Sequence, residues 1–213
     1  FGDNLDIHSG GVDLKFPHHD NEIAQTEGHY DNKQWINYFF HTGHLDIEGL
    51  KMSKSEKNFI KIIDVLEEGF NSNTIRIQFL NHKWDTQMDY NRDGLISSST
   101  DDKTFREFFF KLRLILPHLD TGARMKFNEE DNKMMNLLKL KQEEVHKCLC
   151  DNFNTEGAIL AIKNIITAFY NYEKSAKGEL FKPQLGATVG KYVISVLKSF
   201  GLEYNFLLFN HLN

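Results

Sequence analysis

Cysteine is nearly missing from this chain, with two among 213 residues, Cys148 and Cys150. Two thiols one residue apart build no disulfide framework, which argues for a reducing compartment and a reduced core or surface pair. Proline is almost as scarce, at three residues, and Pro17, Pro117 and Pro183 each fall where a helix begins or ends. Long apolar runs are absent as well. The most apolar stretch, Phe108 to Leu116, is interrupted by Lys111 and Arg113 and is far too short to cross a bilayer. There is no internal repeat or low-complexity tract. An excess of positive charge is lacking too, the net charge being −5, so composition alone does not point to an RNA binder. The charge is uneven, however. Residues 1–100 hold 9 Lys and Arg against 16 Asp and Glu, whereas residues 101–213 hold 16 against 14. At 40% hydrophobic content the chain can bury a proper core and is expected to form two units.

What is present is a dense pentapeptide, Lys51-Met52-Ser53-Lys54-Ser55, with two ammonium groups and two hydroxyls around one unbranched apolar residue. Lysine is a flexible point charge for phosphate, and charge-assisted contacts to phosphate oxygens are strong. Fixed cations where leaving-group charge develops lower a barrier by about 3 kcal/mol for one well-placed donor. Both a solvated basic turn and a grip on a triphosphate fit this composition.

Upstream, Gly10-Gly11 followed by Asp13 offers close backbone approach plus a carboxylate suited to ribose hydroxyls, or simply a turn. Pro17 opens a helix to about Gly28, on which His18 and Glu22 stand four apart and share a face. That pair reads as two zinc ligands, in a site needing two more, or as a polar surface pair. His19 faces elsewhere on that helix. His8 reads as a pocket residue or a hydrogen-bonded histidine at a strand end, and Trp35 and Trp84 read as packing anchors.

Together these segments resemble the class I aminoacyl-tRNA synthetases and, among them, the cysteinyl-tRNA synthetase family. The run Asp6 to Gln25, containing Phe16-Pro17-His18-His19-Asp20-Asn21-Glu22, is similar to that family's adenylate and zinc region. His41-Thr42-Gly43-His44-Leu45 and Gly49-Leu50-Lys51-Met52-Ser53-Lys54-Ser55 match the approach to its signature loop, and Lys57-Asn58-Phe59 continue the match. Leu149-Cys150-Asp151-Asn152-Phe153-Asn154-Thr155 resembles a turn in its helical domain, and the wording is closer to eukaryotic cytosolic members.

The resemblance implies a cytoplasmic aminoacyl-tRNA ligase that activates cysteine with ATP, Mg2+ accompanying the ATP, and transfers it to tRNA(Cys). It implies that Lys54, with Lys51, acts in adenylate formation. Gly10, Gly11, Asp13, His41, Gly43, His44, Met52, Ser53, Lys54 and Ser55 would line the ATP and adenylate site. His18 and Glu22 would be two of four Zn2+ ligands. The chain opens on Phe1-Gly2-Asp3, inside the family's catalytic domain. The expectation is therefore the C-terminal half of a synthetase, inactive alone, with a His-x-Gly-His motif and two zinc cysteines upstream. A cysteine:amino-sugar ligase and a non-catalytic RNA- or protein-binding paralogue stand as alternatives.

The implied fold is α/β then all-α. Residues 1–60 are a partial Rossmann-like catalytic domain, 61–95 a stem-contact region, and 96–213 an antiparallel helical bundle of anticodon-binding type. Tyr38 to His41 reads as a strand. Ile62–Phe70 and Thr74–Asn81 read as short helices, the second with Ile75, Phe79 and Leu80 as its apolar residues. Ser99 or Thr100 caps a helix that Pro117 closes. Further helices span about Glu129–Leu149, Thr155–Lys174 and Pro183–Phe200, the last with Leu185, Val189, Val193, Val196 and Phe200 inward and Gly201 at its end. Lys174 to Lys182 reads as a mobile loop.

Overall fold

The structure, a computed structural model, describes residues 2–47, 49–52, 59–119, 126–176 and 182–204. The chain divides into two units. The first holds Phe1–Lys61 and Trp84–Asn91, and the second holds Ile62–Lys83 and Arg92–Asn213.

In the first unit, β1 (Leu5–Gly11) pairs in parallel with β2 (Ile36–Thr42), Ile7 opposite Tyr38 and Gly10 opposite His41. Parallel neighbours require a crossover, here α1 (Asp20–Tyr30), which ends at Asp31 in the left-handed region. A second, three-stranded sheet has β3 (Leu45–Ile47) at its centre, antiparallel to β4 (Leu50–Lys51) and parallel to β5 (Met88–Tyr90). Its third strand thus arrives about forty residues after the other two. Gly43 makes this return possible: a Cβ there would lie 1.9 Å from the Thr86 carbonyl oxygen. The Gly43 N–H donates to Trp84 and that of Met88 to His44, closing the contact. Among the described residues of this unit, Ile36, Ile47 and Met88 are the buried apolar ones.

The second unit is helical. It holds α2 (Ile62–Glu67), α3 (Ser72–Leu80), α4 (Arg92–Ile115), α5 (Glu129–Cys150), α6 (Thr155–Ala176) and α7 (Pro183–Ser199). The apolar stripe of α6, Ala158, Ile159, Ile162, Ile165, Ile166 and Phe169, is wholly buried and packs along α5. Phe105, Phe108 and Leu112 of α4, Met134, Leu138 and Val145 of α5, and Leu185, Val189 and Val193 of α7 join it in one core. Asn128 and Asp131 form a reciprocal capping box at the start of α5. At the far end of α7, Gly201 adopts φ +71° and the Leu202 N–H returns to the Leu197 carbonyl, a Schellman ending.

Four expectations change. α4 begins at Arg92, seven residues before the expected cap, because Gly94 sits within the first turn and does not interrupt it. The inward face of α3 is Thr74, Ile77 and Gln78, with Phe79 turned outward. On α7, Leu197 takes the fully buried place expected of Val196. Pro117 does not end the helical path, which continues as a 3-10 turn over Leu116–Leu119. The loop expected over Lys174 to Lys182 falls mostly on 177–181, outside the described residues, while α6 itself reaches Ala176. No helix among the described residues is long and apolar enough to cross a membrane.

Candidate functional site

The carboxyl ends of parallel strands are where open α/β sheets gather ligands. In the first unit those ends are Gly10-Gly11 of β1 and His41-Thr42 of β2. Beyond Gly11 the chain makes a short 3-10 turn through Asp13, then a wide turn over Lys15–His19 in which Phe16 is extended. The α-helix proper starts at Asp20, but Phe16 is the one residue of the preceding π-helical turn outside helical geometry, so Pro17 opens the helical stretch that carries both histidines, as expected.

The kink at Phe16 sets where His19 points. Instead of facing elsewhere it is buried, 3% exposed, against Gly10, where an added Cβ would meet its ring at 2.9 Å. Its Nδ1 is hydrogen-bonded to Nε2 of His41 at 2.9 Å. His8, in the middle of β1, places Nε2 2.8 Å from Oε2 of Glu22, and its ring lies 4.4 Å from that of His19. His18 Nε2 is 3.5 Å from the other Glu22 oxygen. His8, His19 and Glu22 each offer a ligand atom, all within 4.8 Å of one another. Glu22 is thus common to the expected His18 pair and to the trio with His8 and His19. Imidazole nitrogen and carboxylate oxygen are both zinc ligands, so the donor set fits that ion.

Aromatic rings wall the cluster. Trp35 lies 5.6 Å from His8, and Phe39 stacks on His41 at 5.8 Å, so Trp35 is a wall of the site as well as an anchor. Burial, followed by the neighbouring His8, holds the His19 imidazole below its ordinary range, against the pull of Glu22. His19 is accordingly a neutral ring at neutral pH, the form that ligates or accepts.

The remaining expected residues flank the strand ends. Asp13 Oδ1 is 4.0 Å from Nδ1 of His44, and the missing Cβ of Gly11 leaves room for that carboxylate. Thr42 donates through its hydroxyl to the Gly10 carbonyl. Gly43 makes the close approach to Thr86 already described. Gly49, at φ +76°, turns β3 into β4, and its N–H donates to Asp89 of β5 at 2.8 Å. The Met52 N–H returns to the Leu45 carbonyl at 3.3 Å. Buried Asp46 accepts from the Gln87 amide. The hairpin that leads into the pentapeptide is therefore fastened from residues 84–90. Ser53, Lys54 and Ser55 lie outside the described residues, as does the side chain of Lys51.

Residues 1–100 match the family model for the tRNA synthetases class I (C) catalytic domain. The chain is 40% identical over 203 residues to the cytoplasmic cysteine–tRNA ligase of Dictyostelium discoideum, an alignment covering 94% of this chain and 31% of the relative. For the human cytoplasmic cysteine–tRNA ligase the figures are 38% over 204 residues, 94% and 27%. Two solved structures share the fold. The LeuRS–tRNA–LeuAMS complex of Agrobacterium radiobacter K84 superposes with a TM-score of 0.68 at 18% identity, over 96% of this chain and 28% of that one. Methionyl-tRNA synthetase of Mycobacterium tuberculosis, bound by methionyl-adenylate, does so with 0.71 at 15% identity, over 91% and 41%. The first hundred residues therefore match the class I (C) synthetase catalytic domain, and nearly the whole chain is similar to cytoplasmic cysteine–tRNA ligases, of whose length it spans less than a third.

Proposed function

We propose that the whole protein is a cytoplasmic cysteine–tRNA ligase, to which this chain contributes the second part of the catalytic domain and a helical tRNA-facing unit. The observation that carries the reading is the convergence of Gly10-Gly11, Asp13, His41 and the Glu22 histidine cluster on the carboxyl ends of β1 and β2. The cysteine carboxylate attacks the α-phosphate of ATP and pyrophosphate departs. The terminal ribose hydroxyl of tRNA(Cys) then attacks the acyl carbon and AMP departs. Neither step needs a protein nucleophile, so this chain's residues act by positioning and by electrostatics. Gly10 and Gly11, whose missing Cβ atoms leave room for His19 and for Asp13, line the adenosine end of the site, and Asp13 and His44 face the nucleotide's polar groups. Lys54 and Lys51, with Met52, Ser53 and Ser55, grip the phosphates, which carry Mg2+.

His18 and Glu22 would hold a zinc ion together with two further ligands, and the ion would supply soft coordination of the substrate thiolate, which serine cannot match. Around that position His8 orients Glu22, and His41 orients His19. The helical unit fits the anticodon-binding role that such a ligase requires.

The test is cysteine-dependent exchange of pyrophosphate into ATP by the full-length protein. Lys54→Ala lowers the exchange rate roughly a hundredfold and leaves the KM for cysteine nearly unchanged. A Lys54→Ala protein that exchanges at the normal rate would falsify the role of that lysine. tRNA binding without any exchange by the wild type would leave a non-catalytic RNA-binding module instead.

A further inference from the structure

The pentapeptide begins on β4, a strand of two residues, in a sheet whose other strands have three residues each. Strands this short specify their register weakly, because few ladder bonds and few buried side chains resist a slip. Apolar packing adds little, since Ile47 and Met88 are the buried apolar residues of these strands among those described. A slip of one residue past β5 would carry Lys51 and Met52 along by about 3.3 Å.

Directed polar bonds oppose that slip. Asp46, the middle residue of β3, is 6% exposed and lies opposite Lys51 of β4 and Asp89 of β5. Its carboxylate accepts from the side-chain amide of Gln87, 41 residues later in the chain. Asp89 accepts from the Gly49 N–H at 2.8 Å. Asp46 and Asp89 are like charges opposite one another on neighbouring strands, an arrangement that destabilises a pair unless each is otherwise held. The two bonds run across the sheet in opposite senses. A carboxylate of the hairpin takes its donor from the β5 segment, and a carboxylate of β5 takes its donor from the hairpin's turn. Sliding the hairpin along β5 in either direction breaks both, because hydrogen bonds weaken steeply away from their preferred distance and angle. Beside Asp46, the Leu45 carbonyl receives the Met52 N–H, so the first two residues of the pentapeptide take their place from residues 45 and 46.

We propose that Asp46 and Gln87 are positioning residues for the ATP-dependent step. Their hydrogen bond fixes the β3–β4 hairpin against β5, and through it the place at which the pentapeptide meets the triphosphate. A misplacement of about 1 Å costs roughly a hundredfold in rate, so a pair that never touches ATP governs how well ATP is used. The reaction it serves rests on the function proposed above. The placement of the hairpin does not.

The experiment exchanges the two functional groups between the two positions in the full-length protein. Gln87→Glu sets carboxylate against carboxylate and breaks the bond. Asp46→Asn leaves amide against amide, which still bonds. The double variant, Asp46→Asn with Gln87→Glu, restores an amide–carboxylate bond with donor and acceptor reversed. In cysteine-dependent pyrophosphate exchange, Gln87→Glu lowers kcat/KM for ATP roughly thirtyfold while the KM for cysteine stays within about twofold. Asp46→Asn loses about threefold or less, and the double variant returns to within about threefold of wild type. Gln87 is exposed, so the substitution leaves the unit folded. Hydrogen exchange over residues 45–47 and 50–52, read without substrate, quickens in Gln87→Glu and slows again in the double variant. A Gln87→Glu protein with wild-type ATP kinetics, or with equal losses toward ATP and cysteine, overturns the positioning role. So does a double variant no better than Gln87→Glu alone. A wild type that performs no exchange refutes the proposed function instead. Hydrogen exchange then decides the pair by itself, and unchanged exchange in Gln87→Glu overturns it.

Discussion

Asp131 is a fully buried carboxylate, and its partners come from three segments of the helical unit. It accepts from the Tyr172 hydroxyl at 2.6 Å and from the Asn128 N–H at 2.8 Å, and it pairs with Lys182, whose ammonium also donates to the Lys126 carbonyl. Burial by itself pushes this carboxyl up. The Lys182 and Tyr172 hydrogen bonds, helped by Asn128, outweigh it and hold the group below its ordinary value of 3.8. A depressed carboxyl stabilises the fold above its unfolded pKa and loses that contribution as pH falls through the folded one. Asp131→Asn leaves Lys182 buried without its counter-charge and costs about 3–5 kcal/mol at neutral pH. The gap between wild type and variant in urea denaturation narrows once the pH drops below 3.8. Two glycines contrast at the same scale. Gly43→Ala drives a methyl into the Thr86 carbonyl, and the loss of about 3 kcal/mol accelerates hydrogen exchange over residues 36–47 and 84–90 by at least roughly a hundredfold. Gly28, inside α1 with nothing within 4 Å of its absent Cβ, accepts alanine and gains about 0.5–1 kcal/mol, read as slower exchange in that helix.

At the scale of elements, α3 is tied to α4 at both ends by two neighbouring aspartates. Asn71 caps α3 through the Thr74 N–H and gives its amide to Asp102 at 2.9 Å. Asn81, at the other end, gives its amide to Asp101 at 3.0 Å. Asp102 also accepts from the Tyr204 hydroxyl and pairs with Arg106, while Asp101 pairs with Lys163 of α6. Asp102→Ala removes three partners from a fully buried site and costs about 2–4 kcal/mol, whereas Asn71→Ala costs nearer 1. Because they share a bond, the double variant loses less than the two single losses combined, and urea denaturation of the four proteins measures the difference.

Such ties are invisible in a hydrophobic pattern, which explains what was legible. α5, α6 and α7 could be read because their apolar stripes recur at helical spacing between clear caps. The start of α4 could not, because Asp93-Gly94 looks like a turn until the acid is seen in the first turn of a helix. The register of α3 failed because Thr74 and Gln78, polar residues, take buried places. In the site, Glu22 was legible from its spacing to His18. His19 was not, since its orientation depends on an extended Phe16 and on the space beside Gly10. The one sequence signal for it was that glycine.

For the whole molecule, the apolar core is distributed unequally. In the first unit Ile36, Ile47 and Met88 are the buried apolar residues among those described, whereas the second buries four helices around one another. The β1–β2 pair leaves Ile7 and Tyr38, neighbours in register, 61% and 68% exposed. Hydrogen exchange followed by mass spectrometry on this chain shows β1 and β2 exchanging well before α4 and α6, whose amides report the most stable part of the structure. Equal protection in the two units would contradict this. The late return of β5 to β3 also sets an order of events during synthesis. The β3–β4 hairpin can pair as soon as it leaves the ribosome, but its other edge waits until Tyr90 has been made. By then α2 and α3, which belong to the other unit, have already been made, so the strand that fastens the β3–β4 hairpin is laid down only after the first helices of the second unit.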